Sequence, residues 1–108
     1  MAKLKHFMVV QGDDLSFTIT FKNLNTSLTK IELGVKKSLE QESYDAYLYE
    51  NQGITKLASN KYLIDFSPEI TADLEPAWYF YQLRCYIGGV PRTPLKGKLI
   101  VQDPVINE

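Results

Sequence analysis

The side chains that could attack a substrate or hold a metal ion are few in this chain. It has one histidine, His6, and one cysteine, Cys85, whereas nucleophilic catalysis needs a base within hydrogen-bond reach of a hydroxyl or thiol. We interpret His6 as an ordinary exposed or strand-flanking residue of a terminal arm. Cys85 shares strand parity with Leu83 and Ile87, so we expect a small apolar core residue rather than a reactive thiol. One cysteine and one histidine also do not supply the usual ligand set of a zinc site.

Two groups of carboxylates could also take part in catalysis or metal binding. Asp13 and Asp14 lack the spaced oxygen ligands of an EF-hand loop, so we interpret them as part of a solvated turn. Glu69, Asp73 and Glu75 could imitate the acid pair of a glycosidase, but helix-end electrostatics and solubility explain them more simply. The residues therefore predict no catalytic, metal or cofactor site, and we expect the protein not to be an enzyme.

Composition is that of an ordinary single domain. The chain has 108 residues, of which 44% are hydrophobic and 23% charged, which suits one core. A net charge of -1 without a polybasic tract argues against nucleic acid as a partner. No apolar run approaches the roughly 20 residues of a membrane-spanning helix, so no membrane partner is expected. We predict one β-sandwich domain over 1–108, with its core at 11–102, an N-terminal arm or first strand at 1–10 and a tail at 103–108.

Alternation of apolar and polar residues is the dominant pattern. Every second residue from Leu15 to Phe21 is apolar, as in a strand with one face on a core. Ser67-Pro68-Glu69 can start a helix and Pro76 must end it, which leaves one short helical turn. Residues 23–27 have the composition of a turn. The strand candidates number about seven, which predicts an antiparallel β-sandwich or small barrel. They lie at 15–21, 31–35, 47–49, 54–57, 62–66, 77–87 and 95–101.

The last two strand candidates are predicted to form a hairpin. The Gly88-Gly89 pair accepts the positive φ angles of a two-residue turn, so the strands on either side should run antiparallel. Pro91 and Pro94 lack amide donors and indicate that the start of the last strand frays or lies at an edge. We interpret Lys96 and Lys98 as protection of that edge against unwanted pairing.

Aromatic side chains exceed what one core face needs. The chain has seven Tyr, five Phe and one Trp, and strand alternation puts Trp78 and Phe80 opposite Tyr79 and Tyr81. Parity alone does not tell which pair faces the core. The other pair needs a cover, which is the chain's own arm or loop, a neighbouring subunit, or a ligand such as a sugar ring. The predicted interface residues are Trp78, Phe80, Tyr47 and Tyr49.

Five segments carry a resemblance to a known family. They are a Gly-Asp-led first strand at Gly12–Phe21, a central segment at Ile31–Lys36, a segment with a Ser-Pro-Glu element before leucine at Ile64–Leu74, an aromatic strand at Trp78–Leu83, and a Leu-x-Gly-x-hydrophobic-x-Val strand at Leu95–Val101. In this order they resemble the small immunoglobulin-like structural proteins of tailed bacteriophages and prophages, which include the N-terminal domain of baseplate upper proteins.

The resemblance implies an all-β, immunoglobulin-like antiparallel sandwich with no catalytic residue and no cofactor. It implies a virion protein of the tail, neck or baseplate, assembled in the cytoplasm of the bacterial host. Its partners would be other phage structural proteins or copies of itself. The alternative is a carbohydrate-binding or adhesive module, in which the same aromatic residues form a platform for a glycan.

Overall fold

The computed structural model describes residues 3–21 and 28–104. The turn predicted at 23–27 and the end of the predicted tail, 105–108, lie outside these ranges. The described residues form nine strands and one helix. Their bounds are β1 Lys3–Leu4, β2 Phe7–Val10, β3 Leu15–Thr20, β4 Lys30–Lys36, β5 Ala46–Glu50, β6 Gly53–Ala58, β7 Lys61–Phe66, α1 Pro68–Asp73, β8 Ala77–Ile87 and β9 Val90–Gln102.

The prediction of an all-β chain with one short helix is confirmed. In the described ranges there are nine strands where about seven were predicted, because the N-terminal segment forms two further short strands, β1 and β2. The hairpin between β8 and β9 is also confirmed, since Gly88 and Gly89 have φ angles of 58° and 83° and the two strands pair antiparallel. These elements follow directly from alternation and turn chemistry in the sequence.

The strands form one sheet that curls on itself. Their order is β1-β9-β8-β4-β5-β6-β7-β3, and β2 also pairs with β9. A two-residue parallel pairing between β5 and β6 joins the layer of β5, β4, β8 and β9 to the layer of β6, β7 and β3. Side chains join the layers as well, since the Phe7 ring on β2 stacks on the Phe17 ring on β3, with centroids 4.5 Å apart. The two ends of the sheet therefore face each other around a common core.

The structure shows which side of the aromatic strand β8 faces the core. On β8, Tyr79 and Tyr81 point inward and are 2% and 4% exposed, whereas Trp78 and Phe80 point outward and are 62% and 40% exposed. Cys85 lies on the inward side and is buried, as predicted. Burial raises the pKa of its thiol, so its reactive thiolate form is disfavoured. The other inward side chains at the centre of the core include Ile31, Leu33, Val35, Tyr62, Ile64, Phe66 and Leu83.

The last strand is covered on both sides over most of its length. β9 pairs with β8 on one side and, from Leu95 onward, with β1 and β2 on the other. The prediction that Lys96 and Lys98 protect an exposed edge is therefore wrong, because the N-terminal strands occupy that edge. Pro91 and Pro94 precede the β1 contact, in the part of β9 that pairs, among the described strands, with β8 alone.

The N-terminal strands are pinned to β9 at the break between β1 and β2. Lys5 donates its backbone N–H to the Lys96 carbonyl at 2.9 Å, and its own carbonyl accepts a 2.6 Å hydrogen bond from the Tyr81 hydroxyl. His6 accepts a hydrogen bond from the Lys98 N–H at Nδ1, at 3.0 Å. The backbone passes so close to Gly97 that a Cβ there would overlap the Lys5 carbonyl oxygen.

The helix is held against the turn between β2 and β3 by a buried threonine. The Thr71 hydroxyl is fully buried; it accepts a hydrogen bond from the Gly12 N–H at 3.1 Å and donates one to the Asp13 carbonyl at 2.6 Å. Gln11 adds a hydrogen bond from Nε2 to the Leu74 carbonyl at 3.0 Å. These contacts fix α1 beside the start of β3.

Thr71→Val is expected to lower the free energy of unfolding by about 1–3 kcal/mol, because the Gly12 N–H and Asp13 carbonyl lose their partner in a buried place. Urea unfolding followed by tryptophan fluorescence measures the change. Thr18→Val on the exposed face of β3 is the matched control, and its effect should stay within about 0.5 kcal/mol. Equal losses in both variants would contradict the role of Thr71.

Candidate functional site

Within the described part of the chain, the outward side of β5, β4, β8 and β9 has large exposed areas and is rich in aromatic residues. We call this side the aromatic face. On β8 it carries Trp78, Phe80, Gln82 and Arg84, which alternate with the core residues and are all exposed. The strand pairing adds the outward residues of the neighbouring strands. These are Lys30, Glu32, Gly34, Lys36, Tyr47, Tyr49, Lys96, Lys98 and Ile100, with Met8 beside Ile100.

The apolar part of the face centres on β8. Trp78 lies beside Ile100 of β9, which in turn lies beside Met8 of β2, and Met8 is 61% exposed. Phe80 lies between Lys36 of β4 and Lys98 of β9, its partners on the two neighbouring strands. It also borders a depression of about 310 Å³ whose lining includes Leu4 and Leu39. The face thus presents an apolar strip along the start of the central strand.

Three tyrosines form a second aromatic group at the β4–β5 side of the face. Tyr44 stacks on Tyr47 with ring centroids 5.0 Å apart, and Tyr47 and Tyr49 are 5.7 Å apart. Tyr44 reaches this position because Gly34 has no side chain, since a Cβ there would lie 2.7 Å from Tyr44 Cδ1. Sequence reasoning missed Tyr44, although an isolated glycine inside an alternating strand is a signal of close approach.

Glu32 is the one carboxylate on the aromatic face. Tyr47 donates a hydrogen bond to its Oε1, Tyr86 donates one to its Oε2 at 3.1 Å, and Lys30 Nζ lies 3.7 Å from Oε1. Burial acts to raise the pKa of Glu32, but the two tyrosine hydrogen bonds and the Lys30 charge outweigh it, so the pKa is lowered. The same hydrogen bond raises the pKa of Tyr47 to about 12. Glu32 is therefore ionised and satisfied within the chain.

Tyr47→Phe is expected to raise the pKa of Glu32 toward the ordinary glutamate value, because the carboxylate loses a hydrogen-bond donor. A lowered folded-state pKa contributes stability that is present at neutral pH and lost as the pH falls through that pKa. The variant should therefore lose less stability on acidification than the unmodified chain. Carboxyl NMR titration measures the pKa directly. Tyr49→Phe is the control, and an identical shift in both variants would refute the coupling.

A shallow depression lies between the tyrosines and β8. Its volume is about 200 Å³. Gln82 and Arg84 border it from β8, and the Lys36 ammonium lies 5.0 Å from the centre of the Tyr44 ring. The remaining lining residues are Glu32, Gly34, Tyr44 and Tyr47. Its polar groups surround aromatic rings, which is an arrangement that also suits a sugar.

The structure brings the predicted interface residues onto one face. Trp78 and Phe80 lie on β8, and Tyr47 and Tyr49 lie on β5, with β4 between them. The sequence predicted that an arm or loop of the chain, a neighbouring subunit or a ligand covers the second aromatic side of β8. Among residues 3–21 and 28–104, no arm or loop covers Trp78, which is 62% exposed.

The groups tested for catalysis lie apart. His6 is on the surface beside β9, Cys85 is in the core, and Glu69 and Asp73 lie on α1 with Glu75 just after it. Within the described ranges, no three of the His, Cys, Asp and Glu side chains are placed to share a metal ion. No helix in those ranges has the length and apolar character needed to cross a membrane.

Comparison with known proteins gives a likeness of fold. No protein-family model matches the chain, and no curated protein matches its sequence. Among solved structures it is similar to a candidate glycoside hydrolase from Bacteroides vulgatus ATCC 8482. The two are 15% identical with a TM-score of 0.54, over 91% of this chain and 16% of that chain. This chain thus spans a small part of the hydrolase, and at that identity the likeness concerns the fold alone.

Two further solved structures match over nearly their whole length. One is the extracellular domain of the voltage-gated sodium channel β4 subunit, whose parallel homodimers are described as explaining cell–cell adhesion; it is 13% identical over 97% of this chain and 96% of that chain, with a TM-score of 0.48. The other is the NK cell receptor NKp44, 13% identical over 95% and 100%, also with a TM-score of 0.48. Likeness at this level carries no conclusion about function.

Proposed function

We propose that this chain is a non-enzymatic structural protein of a bacteriophage or prophage tail, neck or baseplate, which acts through protein–protein contacts of the aromatic face. The observation that carries the proposal is the exposure of Trp78 and Phe80 on a central strand. Large aromatic side chains that remain in contact with water favour burial against a partner. Lys98 Nζ lies 5.0 Å from the centre of the Trp78 ring, so a cation–π contact lies next to the apolar surface.

We also propose that the curled sheet is an immunoglobulin-like sandwich, as the phage resemblance implies. The Tyr79 hydroxyl donates a 2.6 Å hydrogen bond to the Glu75 carbonyl just before β8, which has the form of the tyrosine corner of that fold. Two residues later, antibody domains have a disulfide-bonded cysteine. Here Tyr81 takes that place and packs on Phe7, with ring centroids 5.5 Å apart. Phe7 in turn stacks on Phe17, so aromatic packing links the layers where a disulfide would.

The absence of catalysis in this proposal is supported by what the two reactive side chains do. His6 uses Nδ1 to accept a backbone hydrogen bond that helps to hold the N-terminal strands. Cys85 packs in the core with a raised thiol pKa. Both side chains therefore have structural roles that explain their presence.

Immunogold labelling of purified phage particles with an antibody to this chain, together with mass spectrometry of the same particles, tests the virion assignment. Label at one end of the tail or along it is the expected result. Absence of the chain from intact particles would refute the assignment as a virion component.

A variant experiment tests the face itself. Trp78→Ala with Phe80→Ala should strongly reduce incorporation into particles while the isolated chain stays folded, since both side chains are exposed. Leu57→Ala is the matched control, because Leu57 is 51% exposed and lies on β6, away from the aromatic face. Normal incorporation of the double variant would exclude the aromatic face as the assembly contact.

A carbohydrate-binding or adhesive module is the second candidate, and the stacked tyrosines beside a polar depression favour it. Isothermal titration calorimetry with saccharides from the host cell wall tests it directly. Binding that Tyr44→Ala or Tyr49→Ala abolishes, and that Trp78→Ala leaves intact, would support this function. The absence of heat at millimolar saccharide would exclude it for the sugars used.

A further inference from the structure

We infer that the aromatic face receives the acidic end of a second copy of this chain, so that copies associate head to tail. By the acidic end we mean the carboxylates around α1 and the β2–β3 turn, which are Asp13, Asp14, Asp65, Glu69 and Asp73. The inference rests on the proposed function, because it names the partner of the same face.

The aromatic face is positively charged although the chain as a whole has a net charge of -1. Its outward side carries five cationic side chains and one carboxylate, Glu32, which pairs with Lys30 within the same face. Among the described residues, the four other cations form no salt bridge. These four cations surround Phe80 and Gln82, and they are Lys36, Arg84, Lys96 and Lys98. Of the four, Lys36 and Lys98 lie over aromatic rings of the face.

The matching negative charge is gathered around α1 and the β2–β3 turn. Thr71 holds the β2–β3 turn against α1, which brings Asp13 and Asp14 beside the carboxylates of the helix. Asp65 is at the end of β7, where it pairs with Ser16. Burial, a side-chain hydrogen bond with Asp14 and the adjacent Asp14 and Glu69 charges raise the pKa of Asp65. A cationic partner would relieve this crowding of like charges.

Among the described residues, no salt bridge joins the two patches within one copy. Lys37 pairs with Glu75 just after α1, and neither residue belongs to the two patches. The cations lie on the outward side of the β5-β4-β8-β9 layer, whereas Asp65 and Ser16 lie on the outward side of the β7-β3 layer. Two copies that met through the aromatic face alone would oppose lysine to lysine, which is unfavourable. Pairing the face of one copy with the acidic end of the next removes that repulsion. Such a heterologous contact leaves one patch of each kind free, so it builds a ring or a filament.

Sedimentation velocity of the full chain at 50 and 500 mM NaCl tests the contact. The unmodified chain should self-associate at low salt, and the association constant should fall at least about tenfold at high salt, since the charges are exposed and screened. The face variant Lys36→Glu/Lys98→Glu and the end variant Asp14→Lys/Asp73→Lys should each be monomeric. A mixture of the two should associate again, because the reversed face of one variant then meets the reversed end of the other.

Lys56→Glu/Lys61→Glu is the matched control, since both lysines are exposed and lie on β6 and β7; it should self-associate like the unmodified chain. A monomer at low salt, association that both reversed variants retain, or a mixture that stays monomeric would each overturn the inference. These outcomes are separable from failure of the proposed function. A monomeric chain that is found in particles, and that needs Trp78 to enter them, would contradict only the head-to-tail contact.

Discussion

Replacing Gly97 with alanine is expected to release the N-terminal strands from β9 and to lower the free energy of unfolding by about 2–4 kcal/mol. The added Cβ would overlap the Lys5 carbonyl oxygen and lie 2.8 Å from the carbonyl carbon. This neighbour is backbone that Tyr81 and Lys96 hold in place by hydrogen bonds, so it cannot move without losing them. Each lost hydrogen bond costs about 0.5–1.5 kcal/mol, and Phe7 loses part of its packing.

Chemical denaturation measures the loss of stability, and amide hydrogen exchange locates it. Protection should fall at Lys5 and Lys98, whose N–H groups donate at this crossing, while Leu33 at the centre of the core stays protected. Deleting residues 1–6 provides the control, because without Lys5 the alanine has nothing to overlap. If Gly97→Ala costs as much in the shortened chain as in the full one, the crossing is not the cause.

Tyr81→Ala is expected to lower the free energy of unfolding by about 3–5 kcal/mol, whereas Phe80→Ala on the same strand should cost no more than about 1.5 kcal/mol. Tyr81 is 4% exposed and contacts Phe7, and its removal leaves a cavity between the layers. Phe80 is 40% exposed and points away from the core. Neighbouring aromatic residues should thus differ severalfold in their effect on stability.

Tyr81→Phe separates packing from hydrogen bonding in this pair. It keeps the ring and removes only the hydroxyl that donates to the Lys5 carbonyl, so a loss of about 1 kcal/mol is expected. Thermal unfolding by circular dichroism orders the three variants. Greater destabilisation by Phe80→Ala than by Tyr81→Ala would mean that the strand faces the opposite way.

Local sequence patterns predicted most of the strands because each pattern has a local cause. Alternation identified β3, β4 and β7, since a half-buried strand needs an apolar residue at every second position. The Gly88-Gly89 turn and the proline-bounded α1 followed from backbone preferences that act within a few residues. The core position of Cys85 followed from its parity with Leu83.

Contacts between residues far apart in the chain decide which strands cover the edge of β9 and which residues come together at the candidate site. β1 and β2 pair with β9 at the other end of the chain, so the local signals at Lys96 and Lys98 did not show that the edge was covered. Tyr44 joins the tyrosine group through the space above Gly34, and the acidic end joins the start of β3 to α1 through Thr71. Each of these contacts joins residues that no periodic pattern in the sequence connects.

The sequence by itself determined an all-β chain with one short helix, its strand hairpin, and a surplus of aromatic residues with two apolar sides on one strand. Only the tertiary structure decided that Tyr79 and Tyr81 face the core while Trp78 and Phe80 face water. The physical reason is that alternation gives a strand two faces without naming the inner one. That choice depends on which side the curled sheet closes around, where Phe7 and Phe17 meet Tyr81 from strands far away in the chain.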